Sequence, residues 1–401
     1  MINTGDTAFM IICTAMVCLM TPGLAFFYGG LTRKKNVLSI MMKSFISMGI
    51  STVMWIFGGF GLVFGRDIGG VIGNPLDYFA LHNVTYEPNA LHGTTIPFLM
   101  FFAFQLMFCV ITVPLMTGAF AERMTMKAYI VFLILWNLFI YFPVAHWVWG
   151  NGFLQKLGFI DFAGGSVIHT TAGFGALTCV LLLGQRKWKV TKENNKPSNL
   201  MAAAIGTGLL WFGWFGFNSG GAFAANKLAA TAFTNTFVSL SVAMVTWIIL
   251  VAMRHEKITF VDLLTGSVAG LATITPCAGY VNTSTAIIIG IIASFVCQIA
   301  INFRKRHDWD DALDVWGVHG MGGFTGTIIL GILASAEVNN IQGSMHLLLI
   351  QAFGTILIAI YAMIITYIII KILNSFMQVE LTAAEQQHED KYVFGEVAYQ
   401  E

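Results

Sequence analysis

Apolar residues come along this chain in blocks of about 20, the length an α-helix needs to cross a hydrocarbon core of about 30 Å. The blocks run 7–30, 41–64, 95–118, 127–146, 163–184, 200–220, 228–252, 259–276, 282–302, 315–334 and 346–372. In lipid every backbone polar group must be satisfied within the protein, so runs this long read as helices. The short alternating segments of a membrane β-barrel are not seen. The block at 259–276 is short and ends at Pro276, and its alternative is a re-entrant or buried helix. The start, Met1 to Asp6, lacks the basic residues of a signal peptide, so the first block is expected as a retained span. The longest linker, 65–94, carries the turn signal Asn74-Pro75. A polar segment at the end holds Glu380, Glu385, Glu389, Asp390, Glu396 and Glu401, and reads either as a disordered tail or as a docking element. The expected organisation is a membrane domain, 1–376, followed by a tail, 377–401.

Charge placement orients the blocks. Of the 21 Lys and Arg residues, only Arg66, Lys156 and Lys227 follow even-numbered blocks. The rest, including Arg33, Lys34, Lys35, Lys43, Lys189 and Lys192, follow odd-numbered blocks or lie at the C-terminal end. Positive residues favour the cytoplasmic side, which places the odd linkers and the C-terminus inside and the N-terminus outside. That layout requires an odd number of spans, here eleven. The expected fold class is therefore an all-α polytopic membrane protein of eleven transmembrane helices, in a cell membrane.

Composition agrees. Hydrophobic residues make up 57% of the 401, charged residues 10%, and mean hydropathy is +0.75; a soluble domain carries about 25% charge. No extended basic region suits nucleic acid. The six cysteines have no metal-ligand spacing and read as small buried hydrophobes. No nucleotide loop, activated nucleophile or cofactor motif stands out, so neither an enzyme nor a cofactor is expected.

Two segments repeat. Asp161-Phe162-Ala163-Gly164-Gly165-Ser166-Val167-Ile168-His169 and Asp311-Ala312-Leu313-Asp314-Val315-Trp316-Gly317-Val318-His319 each set an aspartate eight residues before a histidine, with Gly-Phe following at 173–174 and 323–324. Phe26–Gly30 and Phe217–Gly221 form a second pair. With one copy starting outside and the other inside, the chain reads as two inverted five-span halves plus an eleventh span, a recurrent transporter design. Eight residues of helix are about 12 Å, which brings His169 and His319 to mid-membrane from opposite faces. Ionisable groups there are costly and point to function. The pair could share one hydrogen bond between ring nitrogens; the alternative is that each satisfies a neighbouring helix separately. Asp161 and Asp311 begin their spans and read first as caps for orphan N–H groups, with Asp161 also attracting cations. Two midplane histidines without a carboxylate or thiolate make a poor metal site. Phe27, Tyr28, Phe108, Trp149, Trp214 and Phe217 could hold a small cation or close a pore; the alternative for each is packing or interface anchoring.

The chain resembles the ammonium transporter family, the bacterial and archaeal Amt proteins related to Rh proteins. The resemblance rests on Pro22 through Gly30, Gly118 through Arg123, His146 through Gly150, Asp161 through His169, Gly213 through Asn218, Ile274-Thr275-Pro276 and Asp314 through Gly323. It implies a homotrimer in lipid with one narrow pore per subunit. It implies ammonium and methylammonium as substrates, a recruiting site at Phe108 and Trp149 backed by Asp161, and a gate of Phe108 and Phe217. It further implies a lumen with His169, His319 and Trp214, and Phe27 as an upper-pore phenylalanine. One position departs: the family's outer-site serine falls on Gly221, and Ser219 points to another face of its helix. The end motif Gly395-Glu396-Val397-Ala398-Tyr399 implies a tail where a PII-type signalling protein docks. Transport by deprotonation at the gate is the expected function. An ammonium sensor signalling through its tail is the alternative, and an Rh-like gas channel a third.

Overall fold

A computed structural model describes residues 1–188 and 195–399; Lys189 and Lys192 lie outside the described residues. Among the described residues ten helical stretches are long and apolar enough to cross a membrane. They are α1 (Thr4–Leu31), α2 (Lys34–Phe64), α3 (Phe98–Thr117), α4 (Met126–Leu157), α5 (Gly165–Leu183), α6 (Leu200–Ala222), α7 (Lys227–Met253), α9 (Thr283–Arg306), α10 (Trp316–Leu333) and α11 (Met345–Phe376). Between α7 and α9 lies the shorter apolar helix α8 (Phe260–Ile274). Its 15 residues span about 22 Å, and a capping box of Thr259 and Asp262 sets its start. The protein is an all-α polytopic membrane protein; among the described residues its strands are two residue pairs, Asp67–Ile68 and Ile72–Gly73, in the 65–94 linker.

The burial pattern inverts that of a soluble protein. Ile11, Phe57, Ile249, Ile299, Phe353 and Ile364 are exposed on outer helix faces, while Asn137, Thr170, Thr236 and Ser267 are fully buried. Lipid accepts apolar side chains, whereas interior hydroxyls and amides must find partners across helices. Ser47 donates to the Val110 carbonyl at 2.9 Å, and the amides of Asn137 and Asn235 reach Ser51 Oγ and the Ala278 carbonyl.

Two helix crossings place the centre of the bundle. α1 packs along α6, where a side chain on Gly206 would collide with the Phe27 backbone nitrogen and one on Gly30 with Ala203. α5 crosses α10 where Gly173 meets the Gly320 backbone and Gly323 meets the Gly165 carbonyl. Larger residues at these points would force the helices apart.

One end of the bundle carries the 65–94 linker and is called the loop face here. The other, the tail face, carries residues 377–399. These are not an unattached tail. Leu381 N–H donates to the Arg123 carbonyl at 2.8 Å, and Gln386 receives Arg33 and Asn36 on its carbonyl and Lys187 N–H on its side chain. Asp390 accepts from Leu38 and Ser39 N–H, both at 2.9 Å. Lys43 pairs with Glu389 at 3.0 Å, the two side chains only 2% and 1% exposed. α2 therefore begins before the apolar block at 41: after a 3-10 turn its α-helical part starts at Val37, and the first-turn N–H groups of Leu38 and Ser39 are capped by a carboxylate from the far end of the chain.

Candidate functional site

Three cavities lie in series between the loop face and the tail face. The first is a vestibule of about 270 Å³, lined by Phe101, Phe104, Gln105, Phe108, Trp149, Asp161, Phe162 and Gly221 among others. The second is a lumen lined by Phe27, Ile168, His169, Trp214, Phe217, Val268 and His319. It offers about 10 Å³ to the centre of a water-sized sphere, roughly the room of one small molecule. The third, about 180 Å³, opens on the tail face beside Leu31, Asp314, Val318 and His319.

Phe108 and Phe217 separate vestibule from lumen. α3 and α6 bring their rings to 4.3 Å between centroids at 7°, a flat stack across the route. Trp149 stands edge-on to Phe108 at 5.9 Å and 82°, held by its Nε1–H donating to the Asp161 carbonyl at 2.9 Å. The Asp161 side chain faces inward, accepting from Gly164, Gly165, Ser166 and Val167 N–H. Four N–H groups thus fix the start of α5 and, through the carbonyl, the position of Trp149. Ser219 donates to the Phe215 carbonyl and does not line the vestibule; Gly221 does.

Below the stack, Trp214 lies flat on His169 at 5.2 Å and 17°, its Nε1–H donating to Thr275 at 2.9 Å. His169 and His319 come together as the repeat predicts, with centroids 5.3 Å apart. Their arrangement differs from the expected ring-to-ring hydrogen bond. The ring planes lie within 20° of parallel, and both nitrogens of His169 and Nδ1 of His319 have no hydrogen-bond partner among the described residues. Both histidines sit in π-helical turns, Gly165–Thr170 and Trp316–Gly320, and both line the lumen. Such turns depart from the α-helical period and are frequent at functional sites.

Phe27 needs a correction. It lines both the lumen and the tail-face cavity, beside His319 and away from the Phe108–Phe217 stack, so it stands at the lower end of the lumen rather than the upper. Tyr28 is packing: its hydroxyl donates to the Leu115 carbonyl at 2.8 Å.

The chain's relatives are consistent along its whole length. The model of the Ammonium Transporter Family matches residues 8–399. This chain belongs to that family. It is 41% identical over 404 residues to an ammonium transporter of Aquifex aeolicus, covering 99% of this chain and 94% of the relative. Among solved structures, Saccharomyces cerevisiae Mep2 superposes with a TM-score of 0.88 at 31% identity, over 95% of this chain and 91% of that one. A structure described as a Sensor Amt Protein has the same TM-score and identity, with 96% of both chains covered.

The remaining sequence-read residues lie at the tail face. Gly395 takes a left-handed conformation, φ 70°, and ends the last turn. Tyr399 lies beneath Lys34 Nζ, 5.8 Å from the ring centroid. Glu396 is exposed. Sequence reasoning gave no contact to Lys43, Glu389, Asp390 and Gln386, which do more to hold the segment; Glu389, Asp390 and Gln386 lie in a polar stretch with no sign of burial, and Lys43 stands at the edge of an apolar block, where a basic residue reads as an end-of-span charge. Among the described residues no group of three or more His, Cys, Asp or Glu is placed to hold a metal ion.

Proposed function

We propose that this protein carries ammonium, and methylammonium with it, across a cell membrane by passing the neutral amine through the lumen of each subunit. The observation that carries the reading is the flat Phe108–Phe217 stack between an aromatic vestibule and a lumen with room for one small molecule. Ring faces attract a cation by about 0.5–2 kcal/mol, whereas taking a bare charge into low dielectric costs several kcal/mol even after relaxation. Ammonium removes the conflict by giving its proton to water at the stack, on the vestibule side. Ammonia then passes His169 and His319, whose free ring nitrogens offer hydrogen bonds, and takes a proton from water in the tail-face cavity beyond Phe27. Potassium has no proton to give and stops above the stack.

The same reading takes the chain as eleven spans, α8 included, arranged as two inverted five-span halves. The α1–α6 and α5–α10 crossings and the paired π-turns support that symmetry. It takes the loop face as outside and the tail face as cytoplasmic, with domain 1–376 followed by the 377–401 tail. It takes the assembly as a homotrimer, and a PII-type protein as a partner at the tail face. Uptake by proteoliposomes with current recording tests transport: saturable ammonium uptake above empty liposomes is expected, and none from folded protein removes the reading.

A second reading, an ammonium sensor, is favoured by the buried Lys43–Glu389 pair that ties the tail to α2 and by the likeness to the Sensor Amt Protein. Ammonium-dependent release of the tail without flux would select it.

A further inference from the structure

We infer that Gln105 supplies the hydrogen-bond acceptor that holds ammonium in the vestibule, the place where the amine is first stripped of water. The proposal rests on the transport reading's assignment of that vestibule to ammonium, and names the residue that sets affinity there.

Two polar side chains lining the vestibule are buried, Gln105 and Asp161. Asp161 has its carboxylate committed to four backbone N–H groups. Gln105 is 6% exposed, and its amide makes no hydrogen bond among the described residues. The side chain is held by the bundle while its amide opens on the vestibule, so the amide oxygen is free to accept a hydrogen bond from a ligand there. Trp149 Nε1–H is given to the Asp161 carbonyl and Gln155 Oε1 accepts from Asn151 N–H, while His92, Tyr280 and Asn339, which also line the vestibule, are less buried than Gln105 and are not on the helix that carries Phe108.

The location suits the task. Gln105 precedes Phe108 by three residues on α3, on the same helix face and about 4.5 Å nearer the loop face. A cation resting on the Phe108 and Trp149 rings therefore lies within reach of an amide oxygen just above it. Ammonium has four N–H donors; ring faces satisfy charge but accept hydrogen bonds weakly, and an amide oxygen accepts strongly. Opposite, position 221 offers no hydroxyl. A first side-chain carbon there would stand 2.9 Å from the Phe162 carbonyl oxygen, so a serine would require Phe162 to move. In this chain the acceptor comes from α3 instead of α6.

The test measures ammonium chloride binding by calorimetry on purified full-length protein, and initial uptake rates in proteoliposomes, for wild type and Gln105→Met. Methionine keeps the length and removes the acceptor. The expected result is a rise of about tenfold in both the dissociation constant and the half-saturating concentration, about 1.4 kcal/mol, with the maximal rate within twofold. Gln105→Glu keeps an oxygen acceptor and is expected to bind ammonium at least as tightly as wild type. An unchanged half-saturating concentration in Gln105→Met, or a fall in maximal rate alone, overturns the proposal. If Gln105→Met does not fold, Gln105→Asn, which withdraws the amide by one carbon, is held to the same criteria. A wild type that binds ammonium but does not carry it would remove the transport reading and leave the Gln105 comparison intact; one that binds none overturns both.

Discussion

The two copies of the aspartate–histidine segment share an inner end and differ at the outer. His169 and His319 both sit in π-turns and meet ring to ring in one lumen. Asp161 accepts four N–H groups and, through its carbonyl, anchors Trp149 over an aromatic vestibule. Asp311 accepts two, from Val315 and Trp316, and lies beside the Arg304–Asp314 ion pair on a charged surface. That surface continues through Arg186, which joins Asp310 and Glu122, to Arg33 and so to the docked tail. The lesson is that the repeat preserves the lumen while the mouths diverge. One mouth presents ring faces and an amide to a cation. The other is largely apolar, with Asp314 at its edge, and opens beside a surface of fixed ion pairs that is tied to the C-terminal segment.

The largest expected effect separates the two aspartates. Asp161→Ala strands four buried N–H groups at about 1–3 kcal/mol each, and Asp311→Ala strands two. Thermal unfolding of the purified variants should show Asp161→Ala losing most of its folded material, with Asp311→Ala milder. Equal losses would erase the asymmetry.

Next comes the tail. Removing one partner of a buried ion pair costs about 3–5 kcal/mol because the other charge is left unpaired. Glu389→Ala should therefore expose 383–394 to rapid hydrogen exchange, and the double variant Lys43→Met/Glu389→Met should be less affected than Glu389→Ala alone. Full protection in Glu389→Ala would show that the pair does not hold the segment.

A smaller effect concerns the stack. Phe108→Ala removes an aromatic pair worth about 0.5–1.5 kcal/mol beyond its buried area, and should raise the half-saturating ammonium concentration several-fold in uptake assays. The same substitution should leave tail protection unchanged, since the aromatic mouth and the charged surface are separate; a change in both would join them.

The smallest is a pH effect at the tail face. Burial pushes the Asp390 carboxyl up to about 6, outweighing the two N–H groups of α2 that favour its charged form. An undocked aspartate titrates near 3.9. The docked state thus binds the proton more tightly, so docking strengthens as pH falls through about 6 and weakens as pH rises through it. The protection factor of 383–394, exchange divided by the intrinsic rate at each pH, should be higher at pH 5 than at pH 7.5, and Asp390→Asn should abolish the difference. Lower protection at pH 5 in the wild type would reverse the sign.

Much of this architecture was legible in the sequence because lipid imposes simple requirements. Length and apolarity locate the helices, and the matching Asp-to-His spacing predicts that His169 and His319 meet. What escaped has physical causes. The resemblance implies an upper-pore place for Phe27, and only the cavities set its depth at the lower end. Residue spacing brings two histidines together but does not orient their rings, so the absence of a hydrogen bond between them is not legible in the sequence. Lys43 and Glu389 look like solvated charges until the chain end is seen folded back on α2. Gln105 sits in a run of phenylalanines with nothing to distinguish it, and only the lack of a partner in the folded bundle marks it out.

The central claim is that a narrow lumen with paired histidines passes the amine and refuses the ion. Its most direct test is selectivity: ammonium and potassium fluxes measured side by side in proteoliposomes of the wild type and of His169→Ala/His319→Ala. The account predicts ammonium uptake without potassium uptake in the wild type, and loss of that discrimination in the double variant. Unchanged flux and selectivity after both imidazoles are removed would contradict it.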